Sequence, residues 1–198
     1  MSTQQKPNKW LRSPFGRRKK FGVNQSGAAA VEFSIVAPIF LALMFSMFEV
    51  GWFFYTTSVL DATTDKAART IRTGQLQENG TLTTPQERFD FLYDEICDVV
   101  NAWGDCSTRL TMEVQTFTDF ASLAAATDPM VCADSPPDDI AAIPFTPGTE
   151  LSIVRVRVCL IYDTINPTIG ANLSEGDQGQ RHLISTMIFQ NEPYEEGT

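Results

Sequence analysis

The sequence predicts an α+β protein, in which a long N-terminal transmembrane helix continues into an exported domain and a second helix there packs on a small antiparallel sheet of about three strands. Three observations predict it. Between Phe33 and Tyr55 only Glu49 carries a charge, and a run of that length spans a bilayer core of ~30 Å at ~1.5 Å per residue. A period of three and four residues returns after Thr84, as an amphipathic helix requires. Later segments alternate with a period of two, the mark of a strand with one face buried.

The leader, residues 1–27, holds Lys6, Lys9, Arg12, Arg17, Arg18, Lys19 and Lys20 and no acidic residue. Pro7, Pro14, Gly16 and Gly22 interrupt it and no apolar period runs through it, so it reads as a short flexible segment. Of the 15 basic residues, 7 lie here, which leaves 8 basic against 24 acidic groups in the rest of the chain. Lys and Arg beside a spanning helix are retained in the cytoplasm. The N-terminus is therefore expected inside and the acidic body outside. A basic arm also suits nucleic acid, but this one abuts an apolar run and lacks the helix-turn-helix or interleaved aromatic setting that DNA reading needs; no nucleic-acid partner is expected.

Residues 28–73 form the expected anchor. Pro38 removes one helical hydrogen bond and marks a bend that a membrane helix tolerates. Trp52, Phe53, Phe54 and Tyr55 gather at the far end, where amphipathic rings favour the membrane–water boundary. No Ala-x-Ala site follows Tyr55, against a secretory signal peptide. The helical pattern instead continues through a stripe of Val59, Leu60, Thr63, Ala67 and Ile71, with Asp61, Asp65, Lys66, Arg69 and Arg72 largely off it. Gly74 supplies the stop signal. One helix from Ala28 to Thr73 is roughly 70 Å long at ~1.5 Å per residue.

Residues 74–198 are the expected exported domain. A polar linker over 74–83 leads to Thr84-Pro85-Gln86-Glu87, a capping box with proline at the first helical position. Phe89, Leu92, Tyr93, Ile96, Val99, Val100 and Trp103 then give one apolar face, ended by Gly104. Leu110, Met112 and Val114 alternate with Thr111, Glu113 and Gln115 as a half-buried strand. Five prolines make 119–149 mostly loop, with a short helix over Phe120–Ala126. In the strand Glu150–Tyr162, Val154, Val156, Val158, Leu160 and Tyr162 face a helix while Arg155, Arg157 and Cys159 face away. A loop over Asn172–Gln180 precedes the last strand, Arg181–Gln190.

Cys97, Cys106, Cys132 and Cys159 all fall in the part expected outside, and their even number favours two disulfides. Four cysteines allow three pairings; Cys97–Cys106 with Cys132–Cys159 closes the shortest loops and is preferred, although sequence alone does not settle it. Zinc is disfavoured because no Cys-x-x-Cys pair exists and the single histidine, His182, is remote. His182 has no nucleophile context, and Asp138-Asp139 and Glu195-Glu196 lack the ligand pattern of a calcium loop. No catalytic residue, metal or cofactor is expected. Glu49 stands about 25 Å along the helix from Glu32 at ~1.5 Å per residue and is expected to be hydrated among the outer headgroups. Gly51 lacks a second small residue at the spacing of a helix-packing pair.

Gly27-Ala-Ala-Ala-Val-Glu32-Phe33 resembles the processing site of type IV pilin-like proteins, where a membrane peptidase cuts after the glycine. With Pro38, Glu49-x-Gly51 and Ala67-Ala68-Arg69, the segment over residues 24–74 resembles the TadE-like family of the tight adherence (Tad/Flp) pilus system. The resemblance implies a minor pseudopilin-like protein of the bacterial inner membrane that helps assemble Flp pili. It further implies cleavage between Gly27 and Ala28 by a prepilin peptidase, and other Tad assembly proteins and pilin subunits as partners. Related TadG-like proteins often carry a larger von Willebrand A-type body, for which this chain is too short and lacks an Asp-x-Ser-x-Ser run. After cleavage, the new amine of Ala28 would be costly to bury unpaired. Glu32, four residues on and next to Phe33, lies on the same helical face and is expected to neutralise that amine on a neighbouring subunit. The other reading of the chain is an uncleaved bitopic membrane protein whose exported domain binds envelope or secretion components.

Overall fold

The structure is a computed structural model, which describes residues 27–103, 105–132, 143–165, 173–174 and 179–194. The basic leader up to Ser26, Gly104, Asp138-Asp139, Glu195-Glu196 and most of the expected loop over Asn172–Gln180 lie outside the described residues. The fold is α+β. A helix α1 (Ala28–Arg72) precedes α2 (Pro85–Val100), a single 3-10 turn (Asn101–Trp103), the short α3 (Cys106–Arg109), strand β1 (Leu110–Phe117), α4 (Phe120–Ala125), β2 (Ile153–Asp163) and β3 (Gln180–Gln190). The chain divides into two compact units, one ending at Leu41 and the other covering Ala42–Thr198.

In the first unit α1 runs without interruption through Pro38. The second unit holds the sheet, ordered β1-β2-β3 and antiparallel throughout, with Val114 opposite Val156 and Val156 opposite Met187. The even residues of β2 supply Val154, Val156 and Val158 to a core that also contains Leu60 and Ile71 of α1 and Leu92, Ile96 and Val100 of α2. This is the packing expected for the valine face: two amphipathic helices bury their stripes on one side of a sheet.

Local chemistry starts and stops the elements. The Thr84 side chain accepts from the Glu87 N–H while the Glu87 carboxylate accepts from the Thr84 N–H, and Pro85 fills the first helical position. Those hydrogen bonds, the one from the Thr84 backbone foremost, hold the Glu87 carboxyl below its ordinary range. Helix α2 ends at Val100, where Asn101 caps its last turn and a single 3-10 turn carries on to Trp103; beyond it the Asn101 side chain accepts from Cys106 N–H at 3.1 Å, and Cys97 is bonded to Cys106. Tyr93 braces this turn by donating to the Cys106 carbonyl at 3.0 Å, and its phenol is pushed up to about 12, chiefly by burial. At the end of α1, Gly74 takes φ +75°, a conformation that favours glycine, and an added Cβ would lie 2.5 Å from the Tyr194 ring.

Two further expectations change. The linker over 74–83 is a packed turn, because Leu76 is fully buried in the core. Strands β1 and β2 are covered on both faces, so Thr111, Glu113, Arg155 and Arg157 are buried and do not face solvent. The cover is the segment after β1: the Ala126 carbonyl accepts from Arg155 at 3.0 Å, the Asp128 carbonyl accepts from Arg157 at 2.7 Å, and Cys132 is bonded to Cys159. The outer edge of β1 is also partly paired by the segment around Phe145, with Val114 N–H donating to Pro144 and Thr146 N–H to Val114.

Candidate functional site

The sequence points to the start of α1, and the structure gives that stretch its exposure. Gly27 and Ala28 are exposed, with Ala28 the first α-helical residue. Gly27 is not at positive φ, and nothing lies within 4 Å of where its Cβ would be. Neither backbone conformation nor packing in the described residues therefore calls for glycine here. Glu32 and Phe33 are also exposed, and Glu32 makes no hydrogen bond or ion pair with another described residue.

From Val31 to Phe48, eleven large apolar side chains are exposed, Phe33 at 72% and Met47 at 78%. Full burial of such a side chain is worth about 1.5–3 kcal/mol relative to exposure, so a surface of this kind is stable only where something other than water covers it. The helix is long and apolar enough to cross a membrane, and none of its most apolar 18 residues is buried. This fits a single-pass membrane protein.

Glu49 overturns its expectation. It is only 2% exposed, enclosed by the sheet rather than hydrated. Its Oε1 accepts from the Ile165 backbone N–H at 3.1 Å and from the Tyr162 hydroxyl at 3.3 Å. The Tyr162 phenol is raised well above its ordinary value, first by burial and then by the Glu49 charge. Phe53, one turn on, meets Tyr162 edge to face, and the Arg181 guanidinium lies 5.0 Å from the Phe53 ring centre. Helix α1 is thus tied to the end of β2 at Glu49, the first buried residue along the helix. Tyr162 is 113 positions from Glu49, and no local pattern in the sequence joins them.

The second group that sequence reasoning missed is the pair of Glu113 and Arg157. Arg157 Nη2 donates to both carboxylate oxygens, at 2.7 and 2.8 Å. Arg155, beside it on β2, donates to Gln115 and has its guanidinium pKa lowered, by burial first and by Arg157 second. The arrangement is a fork-and-carboxylate clamp under the covering segment and presents no open face to a ligand. His182 is exposed on β3. Among the described residues no three His, Cys, Asp or Glu side chains are grouped to hold a metal ion.

Residues 27–69 match the family model of TadE-like proteins. The TadE-like segment begins at the glycine of the expected junction, includes Glu32, Phe33 and Glu49, and stops three residues before α1 does. The match is consistent with a TadE-like protein of the Tad pilus system over those residues. The helix α2, the sheet and both disulfides lie beyond the matched residues. No curated protein and no solved structure matches the chain.

Proposed function

We propose that the chain is a minor pseudopilin-like structural component of Tad pilus assembly, a single-pass inner-membrane protein with its N-terminus in the cytoplasm and its α+β domain in the periplasm. A prepilin peptidase removes residues 1–27, and Glu32 pairs with the Ala28 amine of a neighbouring pilin-type subunit. The observation that carries this reading is the exposed apolar face of α1 immediately after Gly27. The glycine supports it too, since the described structure gives Gly27 no other task. The seven leader cations support the orientation, and two disulfides suit an oxidising compartment. The protein acts by assembly, with no chemistry of its own.

N-terminal sequencing of membrane-extracted protein, from cells with and without the prepilin peptidase, tests the reading. With the peptidase, the mature chain should begin at Ala28; an intact leader in both strains supports the uncleaved bitopic protein instead. In the same cells Glu32→Ala should still be cut but should yield few or no pili. Unchanged piliation would remove the pairing role.

A further inference from the structure

The end of the domain next to Glu49 holds a cleft of about 280 Å³. Its floor is Val100 of α2 with Leu160 and Tyr162 of β2, all buried. Its rim is Trp52 of α1, Arg109 at the end of α3 and Asp163 at the end of β2. These elements converge because α2 and β2 both finish here. The cleft shares Trp52 with an apolar patch of Met47, Phe48, Gly51 and Tyr55, which lipid would cover, a conclusion that rests on the membrane reading above.

Among the described residues the rim carries one charge of each sign. Arg109 Nη1 and Asp163 Oδ2 are 2.5 Å apart, and both side chains remain partly exposed, at 30% and 47%. A volume of about 280 Å³ has room for a headgroup and is too small for a whole lipid. We propose that this cleft seats the headgroup of a phospholipid bearing a primary ammonium, its phosphate on Arg109 and its ammonium on Asp163. An exposed ion pair gains little by itself, so exchanging it for two charge-assisted contacts with a zwitterion keeps every charge paired. A purely anionic headgroup would meet Asp163 and the acidic body around it. A choline headgroup has no N–H to give the carboxylate. Trp52 stands at the mouth, where an indole suits the membrane boundary.

Full-length protein is reconstituted in bilayers holding equal parts of ethanolamine, choline and glycerol phospholipids, extracted in mild detergent, and weighed with its retained lipid by native mass spectrometry. The wild type should retain about one ethanolamine phospholipid, and Arg109→Ala and Asp163→Asn should each lower that retention at least fivefold while both disulfides stay closed. Equal retention of the three headgroups, or retention indifferent to both substitutions, overturns the proposal. Carbonate washing keeps the two ideas apart. Protein that stays in the bilayer without a headgroup preference overturns only the cleft, whereas protein that washes out overturns the membrane reading and the cleft with it.

Discussion

Glu49 is the residue at which the helix and the sheet are made to agree. A carboxylate at the end of an apolar run is tolerated because its oxygen accepts from Ile165 N–H and Tyr162 OH, so three polar groups satisfy one another out of water. Replacing it with leucine keeps the bulk but strands both donors. Each buried donor left unpaired costs about 1–3 kcal/mol, and for a chain of this size a loss of 1 kcal/mol lowers Tm by about 2–4 °C. Glu49→Leu should therefore lower the Tm of the full chain in detergent by several degrees, and Glu49→Gln, which keeps an acceptor oxygen, should lower it less. A leucine variant as stable as the wild type would show that the clamp contributes nothing. None of this was legible in the sequence. A charge scan sees one glutamate near a membrane boundary and assigns it to water, since the groups that enclose it come from β2 and the segment after it.

Among the elements, those set by local chemistry were readable and those set by a covering layer were not. Thr84, Pro85 and Glu87 mark the start of α2 because a capping box is a contact within one turn. The valine alternation of β2 reveals its core face for a similar reason, since side chains of a strand alternate whatever lies above them. The same alternation puts Arg155 and Arg157 on the other face, and period two alone cannot say whether that face is wet. It is dry, because the segment through Ala126 to Cys132 lies over it and offers each arginine one backbone carbonyl. Burial makes the Glu113–Arg157 pair asymmetric in its response to mutation. Arg157→Met alone takes both close hydrogen bonds from the buried Glu113 carboxylate and leaves it only Arg155 at 3.9 Å, at a cost of up to about 3–5 kcal/mol, whereas removing both charges with apolar side chains is often close to neutral. Chemical denaturation should therefore show Arg157→Met strongly destabilised and Glu113→Leu/Arg157→Met recovering most of the loss. Additive losses in the double variant would mean that the pair is not coupled.

Over the whole molecule the candidate site divides in the same way. Gly27, Glu32 and Phe33 are proposed from the sequence because the junction is a linear pattern, and the exposed helix face after them is what the structure adds. The cleft beside Arg109 and Asp163 was invisible, being assembled from α1, α2, α3 and β2, whose lining residues run from Trp52 to Asp163. One property belongs to the chain as a whole: seven cations precede the apolar run, and the rest carries 24 acidic against 8 basic groups. If orientation follows the cations retained beside the span, the proposed N-in topology depends on the leader and not on the fold. A reporter enzyme that matures only in an oxidising compartment, fused after Thr198, reads this directly. The wild type should give full reporter activity, and changing Arg12, Arg17, Arg18, Lys19 and Lys20 to glutamine should reduce it severalfold. The cysteines supply the companion reading, because Cys97–Cys106 and Cys132–Cys159 close only where thiols are oxidised. Chains held in the wrong orientation should therefore carry free thiols in proportion to the reporter activity lost. Full reporter activity with the five cations gone would show that the helix and its folded domain set the orientation without the leader.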